Sequence, residues 1–485
     1  MKNGKKSPVK DFIIISGGSF LNLLIGVFTT PIITRLVDPN EYGQLSIFNL
    51  YVNISVLIFC VGLDQALVRY YYRSEDLEYK SSLVKKCWFI PIVLWIIFCG
   101  VFLSLFSTGL VQFEFDGYIT IILAVCVGIQ IVNRIALLVL RLEYQSAMYS
   151  FVNCINKICY TVLAVLLIKT IKTGYLYILT ISITISYLAS LVISILLEKH
   201  IWTYKSKSCK EIDSKQLIKY GAPFILSMGL TTVFQGIDKL SLNHFCTYAE
   251  VGIYSSAMSL VHVFAILQSS FNAIWAPMAT EHYEKAPGEK DFYRKGNAYI
   301  TIMMFSFGLA LILVKDVFAI LLGPKYREAA YILPCLCFNP IMYTISETTV
   351  SGINFSQKSH LHIWVALGAC TVNIIGNTIM VPFIGGRGAA ISTGISYIVF
   401  FALRTILSNK YYKVDFQIWK ISIVTILTFA YALFNTFVKF NVITIVGFIV
   451  CVAVLLVLYH SDFVSCIQFA MKTVKSRINK RIGES

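Results

Sequence analysis

Charge is scarce in this sequence. Asp, Glu, Lys and Arg together make up 14 % of its 485 residues, against roughly a quarter in ordinary soluble domains. No stretch on the order of 100 contiguous residues has ordinary globular composition, which excludes an ATPase module, a glycosyltransferase head or an extramembranous catalytic domain. The glycines at Gly385-Gly386-Arg387-Gly388 lack a following Lys-Ser/Thr pair, so they read as a turn and not as a nucleotide-binding loop. The 13 cysteines are mostly scattered singly through apolar segments, as at Cys60, Cys99, Cys126 and Cys370. There a thiol behaves as a small hydrophobe, and neither disulfides nor a metal site is implied. Cys335 and Cys337 have no His or further Cys at ligand spacing, so no zinc site is expected. The first apolar segment is too long for a signal peptide. It runs into Pro31, Arg35 and Asp38 without a small-residue cleavage site and reads as a retained helix.

What is abundant is apolar: 57 % of residues are hydrophobic. Apolar stretches bounded by charges fall near 11–34, 43–66, 87–109, 118–140, 150–168 and 175–197. A second set falls near 216–243, 252–278, 296–320, 328–353, 361–383, 388–407, 416–437 and 440–460. Fourteen segments of about 22 residues fit the roughly 20 that a helical crossing needs. The formal charge of +16 then has a topological meaning, because Lys and Arg resist translocation. Assigned to alternate loops, roughly 30 of the basic residues fall on the side of both termini and about 9 on the other, so both termini are expected in the cytoplasm. Nucleic acid is not an expected partner.

The chain also repeats itself. Asp38-Pro39-Asn40-Glu41-Tyr42-Gly43-Gln44-Leu45-Ser46 and Thr247-Tyr248-Ala249-Glu250-Val251-Gly252-Ile253-Tyr254-Ser255 share Glu, Gly and Ser at one constant offset, each between the first two spans of a set of six. The expected organisation is a cytoplasmic amino terminus over 1–10, a six-helix lobe over 11–198 and a basic cytoplasmic linker over 199–215. A second six-helix lobe over 216–410, two additional spans within 411–462 and a basic cytoplasmic tail over 463–485 complete it. Such an all-α integral membrane arrangement, with the substrate between lobes, is a transporter architecture.

Several stretches carry a resemblance. The first span ends Thr34-Arg35-Leu36-Val37-Asp38-Pro39 and the second opens Glu41-Tyr42-Gly43. Gly62-Leu63-Asp64-Gln65-Ala66-Leu67-Val68-Arg69-Tyr70 follows, then Lys219-Tyr220-Gly221-Ala222-Pro223-Phe224 and Gly236-Ile237-Asp238-Lys239. Together they resemble the polysaccharide flippases of the multidrug/oligosaccharidyl-lipid/polysaccharide exporter superfamily, in the Wzx-type O-antigen and capsule subgroup, over residues 11 to about 460. The resemblance implies a MATE-like V-shaped transporter and no enzymatic activity. It further implies passage of an undecaprenyl-pyrophosphate-linked oligosaccharide from the inner to the outer leaflet of the bacterial cytoplasmic membrane, by alternating access. A polysaccharide polymerase and chain-length machinery are the partners it suggests.

The few charges inside spans are costly and therefore informative. Arg134 and Lys157 fall at comparable depth in spans four and five, with Gln130, Asn133, Asn153 and Asn156 around them, and Arg141 lies two turns beyond Arg134. Arg and Lys suit a diphosphate, and the amides suit sugar hydroxyls. Arg141 also fits an inner-boundary residue, and Lys157 one that snorkels towards the cytoplasm. Among the acids, Glu347 is a candidate for coupling to H+ or Na+, or else a static partner of a basic residue. Asp64, with Arg69 or a base of the other lobe, is a gating candidate, and Asp238 reads as a local hairpin contact. No other cofactor is expected.

Three alternatives share parts of this pattern. A MATE-type cation-coupled drug exporter has the same lobes but favours an acidic or apolar chamber. A lipid II flippase would carry arginines early in span one, and residues 12–34 contain no basic residue in that part. A membrane-embedded polymerase or ligase needs a large outer loop, and the longest expected here is about 10 residues.

Overall fold

In the computed structural model, the described residues are 8–110, 112–204, 213–358 and 360–464. Parts of the expected amino terminus, basic linker and tail lie outside them, with Lys205, Lys207 and Lys210. The helices are α1 (Pro8–Thr34), α2 (Pro39–Phe59), α3 (Leu63–Tyr70), α4 (Leu77–Ser107), α5 (Gly117–Leu142), α6 (Ser146–Ile171), α7 (Tyr175–Leu197), α8 (Lys199–Trp202), α9 (Ser214–Phe245) and α10 (Tyr248–Val261). They continue as α11 (Val263–Lys285), α12 (Asp291–Leu313), α13 (Lys315–Leu321), α14 (Ala329–Leu336), α15 (Phe338–Thr349), α16 (Ser351–Phe355), α17 (His360–Asn409), α18 (Ile418–Phe437) and α19 (Val442–Leu458). Among the described residues this is an all-α fold, without strands.

Ten helical stretches among the described residues are long and apolar enough to cross a membrane, and α10 with α11 makes an eleventh. Within α1 the apolar stretch Leu24–Thr34 is shorter, as is α19. The 50-residue α17 leaves helical geometry at Ile384 and Gly385, where Gly385 takes φ +53°, so the expected glycine turn divides it into two legs. The expected second span is likewise divided. Val61 and Gly62 both adopt positive φ, α2 stops at Phe59, and the rest becomes the separate helix α3. The apolar run is continuous across this point, so hydropathy alone does not reveal the break.

The chain forms two compact units, residues 1–259 with 322–325, and residues 260–321 with 326–485. In the first, α1 packs on α6, α5 and α6 on α7, and α2 and α3 on α9. Lipid dissolves apolar side chains as well as a protein core does, so small polar residues mediate the closest packing. α7 buries Ser182, Ser186, Ser190 and Ser194, one every four residues and therefore on one face, while Ile181, Ile185, Leu188 and Val192 point outward. Residues 322–325 join this unit through Gly323, whose N–H donates to Thr34 Oγ1 at 3.3 Å, and through the Lys325–Asp38 ion pair. In the second unit α15 packs on α17 and α12, and α18 on α14 and α19. Thr349 and Thr405 hydroxyls meet at 2.8 Å, and Asn297 donates to Thr348 at 2.8 Å.

The repeat has a structural counterpart. Ser46 and Ser255, equivalent by the constant offset, bring their hydroxyls within 2.7 Å. Gly43 and Gly252, the equivalent glycines, are also neighbours: a Cβ on either would lie 3.0 Å from the other's backbone nitrogen. Added to Gly43 it would lie 1.7 Å from the Tyr248 carbonyl oxygen. Residues meeting their own counterparts make a self-complementary contact of the kind that two-fold relationships generate. In a background stripped of other cysteines, Ser46→Cys with Ser255→Cys should therefore form a disulfide readily under mild oxidation. Adding Gly43→Leu should suppress it, as read by mobility before and after reduction.

Candidate functional site

The site begins with a backbone necessity. Gly62 sits at φ +67°, a region glycine enters without the steric cost that a Cβ imposes. It also lies against Gly221 of α9, where a Cβ on Gly62 would come within 2.1 Å of the Gly221 carbonyl oxygen. Two sequence segments that carried the resemblance thus dock on each other. Tyr70 and Tyr220 extend the contact, with ring centroids 5.7 Å apart in an edge-to-face arrangement.

This turn sets α3 so that Asp64, 2 % exposed, faces α5. Arg134 Nε and Nη2 donate to Asp64 Oδ2 at 2.9 and 2.5 Å. Gln65 donates its backbone N–H to Oδ1 at 2.9 Å and its side-chain amide to Oδ2 at 3.2 Å. The carboxylate is therefore enclosed by donors, while the Arg134 side chain keeps 35 % of its surface accessible. The partner of Asp64 is Arg134, seventy residues away, and not Arg69, which is exposed on α3.

The remaining candidates fall in different settings. Asn133 is buried. It donates to Gln130 at 2.9 Å and accepts from Ser190 of α7 at 3.0 Å. Asn156 accepts from Ser186 at 3.1 Å, so both amide oxygens bond between helices. Asn153 donates to the Tyr149 carbonyl of its own helix at 2.8 Å. Lys157 points at α1, where its Nζ donates to the Asn22 carbonyl at 3.0 Å and would lie 2.7 Å from a Cβ on Gly26. Arg141 is exposed near the end of α5. Asp238 is buried and accepts from the Tyr254 hydroxyl, a contact within the α9–α10 hairpin as its sequence position suggested.

The second unit holds a pair of its own. Arg404 Nη1 donates to Glu347 Oε1 and to Ser346 Oγ, both at 2.7 Å. Its guanidinium lies 5.7 and 5.5 Å from the ring centres of Tyr343 and Phe400. Exposure here is reversed, the arginine side chain keeping 8 % and the glutamate 20 %. The sequence places Arg404 near the end of the apolar stretch 388–407. What it lacks is any spacing rule linking residues 57 apart on separate helices.

An α-helical membrane protein of this composition has many relatives in shape, and comparison narrows them. A family model described as "Polysaccharide biosynthesis protein" matches residues 9–283. The chain is 22 % identical over 428 residues to the "Probable low-salt glycan biosynthesis flippase Agl15" of Haloferax volcanii, covering 85 % of each protein. It is 23 % identical over 419 residues to an uncharacterised membrane protein of Methanocaldococcus jannaschii, covering 78 % of this chain and 80 % of that one. Among solved structures, the lipid II flippase MurJ in an inward closed conformation aligns at TM-score 0.67 with 15 % identity, over 94 % of this chain and 100 % of that one. An inward-facing multidrug resistance MATE family transporter aligns at TM-score 0.62 with 14 % identity, over 81 % and 94 %. These structural likenesses concern the fold.

Removing one member of a buried ion pair leaves the other unpaired, and the penalty falls on whichever stays desolvated. Arg134→Ala strands a buried carboxylate and should destabilise the protein by roughly 2–3 kcal/mol. Asp64→Asn with Arg134→Gln should cost less than Arg134→Ala alone. Thermal unfolding of the purified variants in one detergent checks the order.

Proposed function

The chain belongs to the polysaccharide biosynthesis protein family, and from that premise we propose that it is a flippase for a lipid-linked oligosaccharide. The cargo in this reading is an undecaprenyl-pyrophosphate-linked O-antigen or capsular repeat unit. It passes from the inner to the outer leaflet of the bacterial cytoplasmic membrane by alternating access, and both termini of the protein face the cytoplasm.

The observation that supports it is the half-accessible Arg134. A guanidinium offers five donors in a planar fork suited to phosphate oxygens. Here two of its nitrogens are committed to Asp64, and Nη1 has no protein acceptor among the described contacts. Asp64 thus acts as a positioning residue: it offsets the charge while no cargo is present and fixes the plane of the fork. An arriving diphosphate meets an arginine whose side-chain entropy is already spent, which favours affinity. Arg141 and Lys157 add positive potential along the same two helices. Asn133, Asn153 and Asn156 act on the glycan through the packing of those helices.

In the same reading Glu347 is the coupling carboxylate, with Asp64 and Arg69 at a gate. H+ or Na+ arriving at Glu347 competes with Arg404 for the same oxygens, so ion binding and release of Arg404 are linked events. The flipped product then passes to a polymerase and chain-length machinery on the outer side.

Deleting the gene in its host should abolish surface polysaccharide and leave lipid-linked glycan on the cytoplasmic face. Wild type should restore export, and a normally expressed Arg134→Ala variant should restore it at about a tenth of the rate or less, as loss of one charge-assisted phosphate contact implies. Normal surface glycan after deletion, with altered drug tolerance instead, would overturn this reading in favour of an exporter of organic cations.

A further inference from the structure

Glu198 follows the last residue of α7 and is 0 % exposed. Both its carboxyl oxygens are buried with no hydrogen-bond donor. The nearest base is His200, whose Nδ1 lies 3.5 Å from Oε2 on a side chain that is half exposed. Glu198 is the C-cap of α7, and Glu143, whose negative charge acts on it, is the C-cap of α5. A helix C-terminus carries the negative end of the macrodipole and disfavours an anion. Two carboxylates placed at two such ends, one of them without a donor, are a poor arrangement for two negative charges.

The two acids are not treated alike. Glu143 accepts from the Tyr71 hydroxyl at 2.6 Å and from Lys80 Nζ at 3.2 Å, and Lys80 also reaches Glu75 at 3.1 Å. Glu198 has neither donor. Of the other polar groups on the neighbouring elements, Ser194 Oγ, Trp88 Nε1 and Trp202 Nε1 are buried without a partner, and the charged and phenolic groups are engaged elsewhere or turned outward. Tyr72 donates to the Leu142 carbonyl, Lys85 donates to the Tyr204 carbonyl, and Arg141 and Lys199 are exposed.

We infer that Glu198, with Glu143 beside it, is a proton-binding site at this end of the first unit, and that its occupancy sets how firmly the segment 63–73 is held against α5. With the proton on Glu198, one negative charge remains, on Glu143, and it holds Lys80 and Tyr71. When the proton leaves, a buried negative charge on Glu198 is added beside the partly exposed one on Glu143. The relief available is for Glu143 to move away, which loosens its bond to Tyr71. That segment follows Gly62 and carries Asp64, so the proton acts on the positioning of Arg134 from the far end of α3. Burial, with the charge of Glu143 as the second cause, pushes the Glu198 carboxyl up to about 7, within the range a cytoplasm samples. The consequence for Arg134 rests on the proposed flippase reading, whereas the proton site does not.

The linkage has a definite sign. A carboxyl raised above its ordinary 4.5 contributes stability that is complete below that value and is lost as pH rises through about 7. Purified full-length protein in lipid nanodiscs should therefore exchange amide hydrogens in residues 63–73 several-fold faster at pH 8 than at pH 6, after correction for intrinsic exchange. In Glu198→Gln, a neutral mimic, exchange should stay at the slow level at both values. Difference infrared spectra across the same range should show a protonated-carboxyl band that is absent from Glu198→Gln. Equal pH dependence in wild type and Glu198→Gln, or a wild type without that band, would overturn the proton site. None of these readouts uses transport, so a failure of the flippase reading would leave them unchanged.

Discussion

A charged arginine two turns before the end of an apolar helix is tolerated only with a partner, because an unpaired charge inside a membrane costs several kcal/mol. Much of the first unit around it serves that requirement. Asp64 supplies the counter-charge, and it reaches α5 because the chain breaks at Val61 and Gly62 before α3 begins. Gly221 makes the break possible from the other side, since it leaves room for the Gly62 backbone. The serine stripe of α7 takes up Asn133 beside Arg134 on α5 and Asn156 on α6, so these amide oxygens are bonded between helices and not left open. A pair arranged this way leaves one cation partly accessible and rigidly aimed, which is the property that recognition of an anionic headgroup requires.

Among the described residues, each unit carries an acid–arginine pair held among apolar helices, with opposite members the more accessible. In the first the acid is enclosed and the arginine shows; in the second the arginine is enclosed beside the stacked rings of Tyr343 and Phe400 and the glutamate is the more accessible member. The same solution to charge burial thus yields two different surfaces, one suited to an anion and one to a cation. That contrast is the physical basis for giving the two pairs different roles in transport.

Most of the fold was legible in the sequence because a membrane imposes a length. Runs of about 20 apolar residues translate directly into helices, and the glycine turn at Gly385 announced itself by composition. The break after α2 was hidden, because it depends on backbone geometry inside an uninterrupted apolar run. The candidate arginine was legible as a charge in a costly place, but its partner was not, since no periodicity relates Asp64 to Arg134 across seventy residues. For the asparagines a signal existed and pointed elsewhere: Ser182, Ser186, Ser190 and Ser194 recur every four residues, the pattern of a helix face built to bond with a neighbour. Glu198 stands beside Lys199 and His200, and nothing in that sequence context marks it as buried. Its burial follows from α8 turning back onto α4, which only the tertiary structure reveals.

We propose that Arg134, aimed by Asp64, recognises a diphosphate. Binding of undecaprenyl pyrophosphate and of the neutral polyprenol to wild type and Arg134→Ala, at one ionic strength in the same nanodiscs, tests it most directly. Wild type should prefer the diphosphate by about tenfold or more, with Arg134→Ala losing that preference and keeping its affinity for the neutral lipid. Equal preference for the diphosphate in both proteins would contradict it.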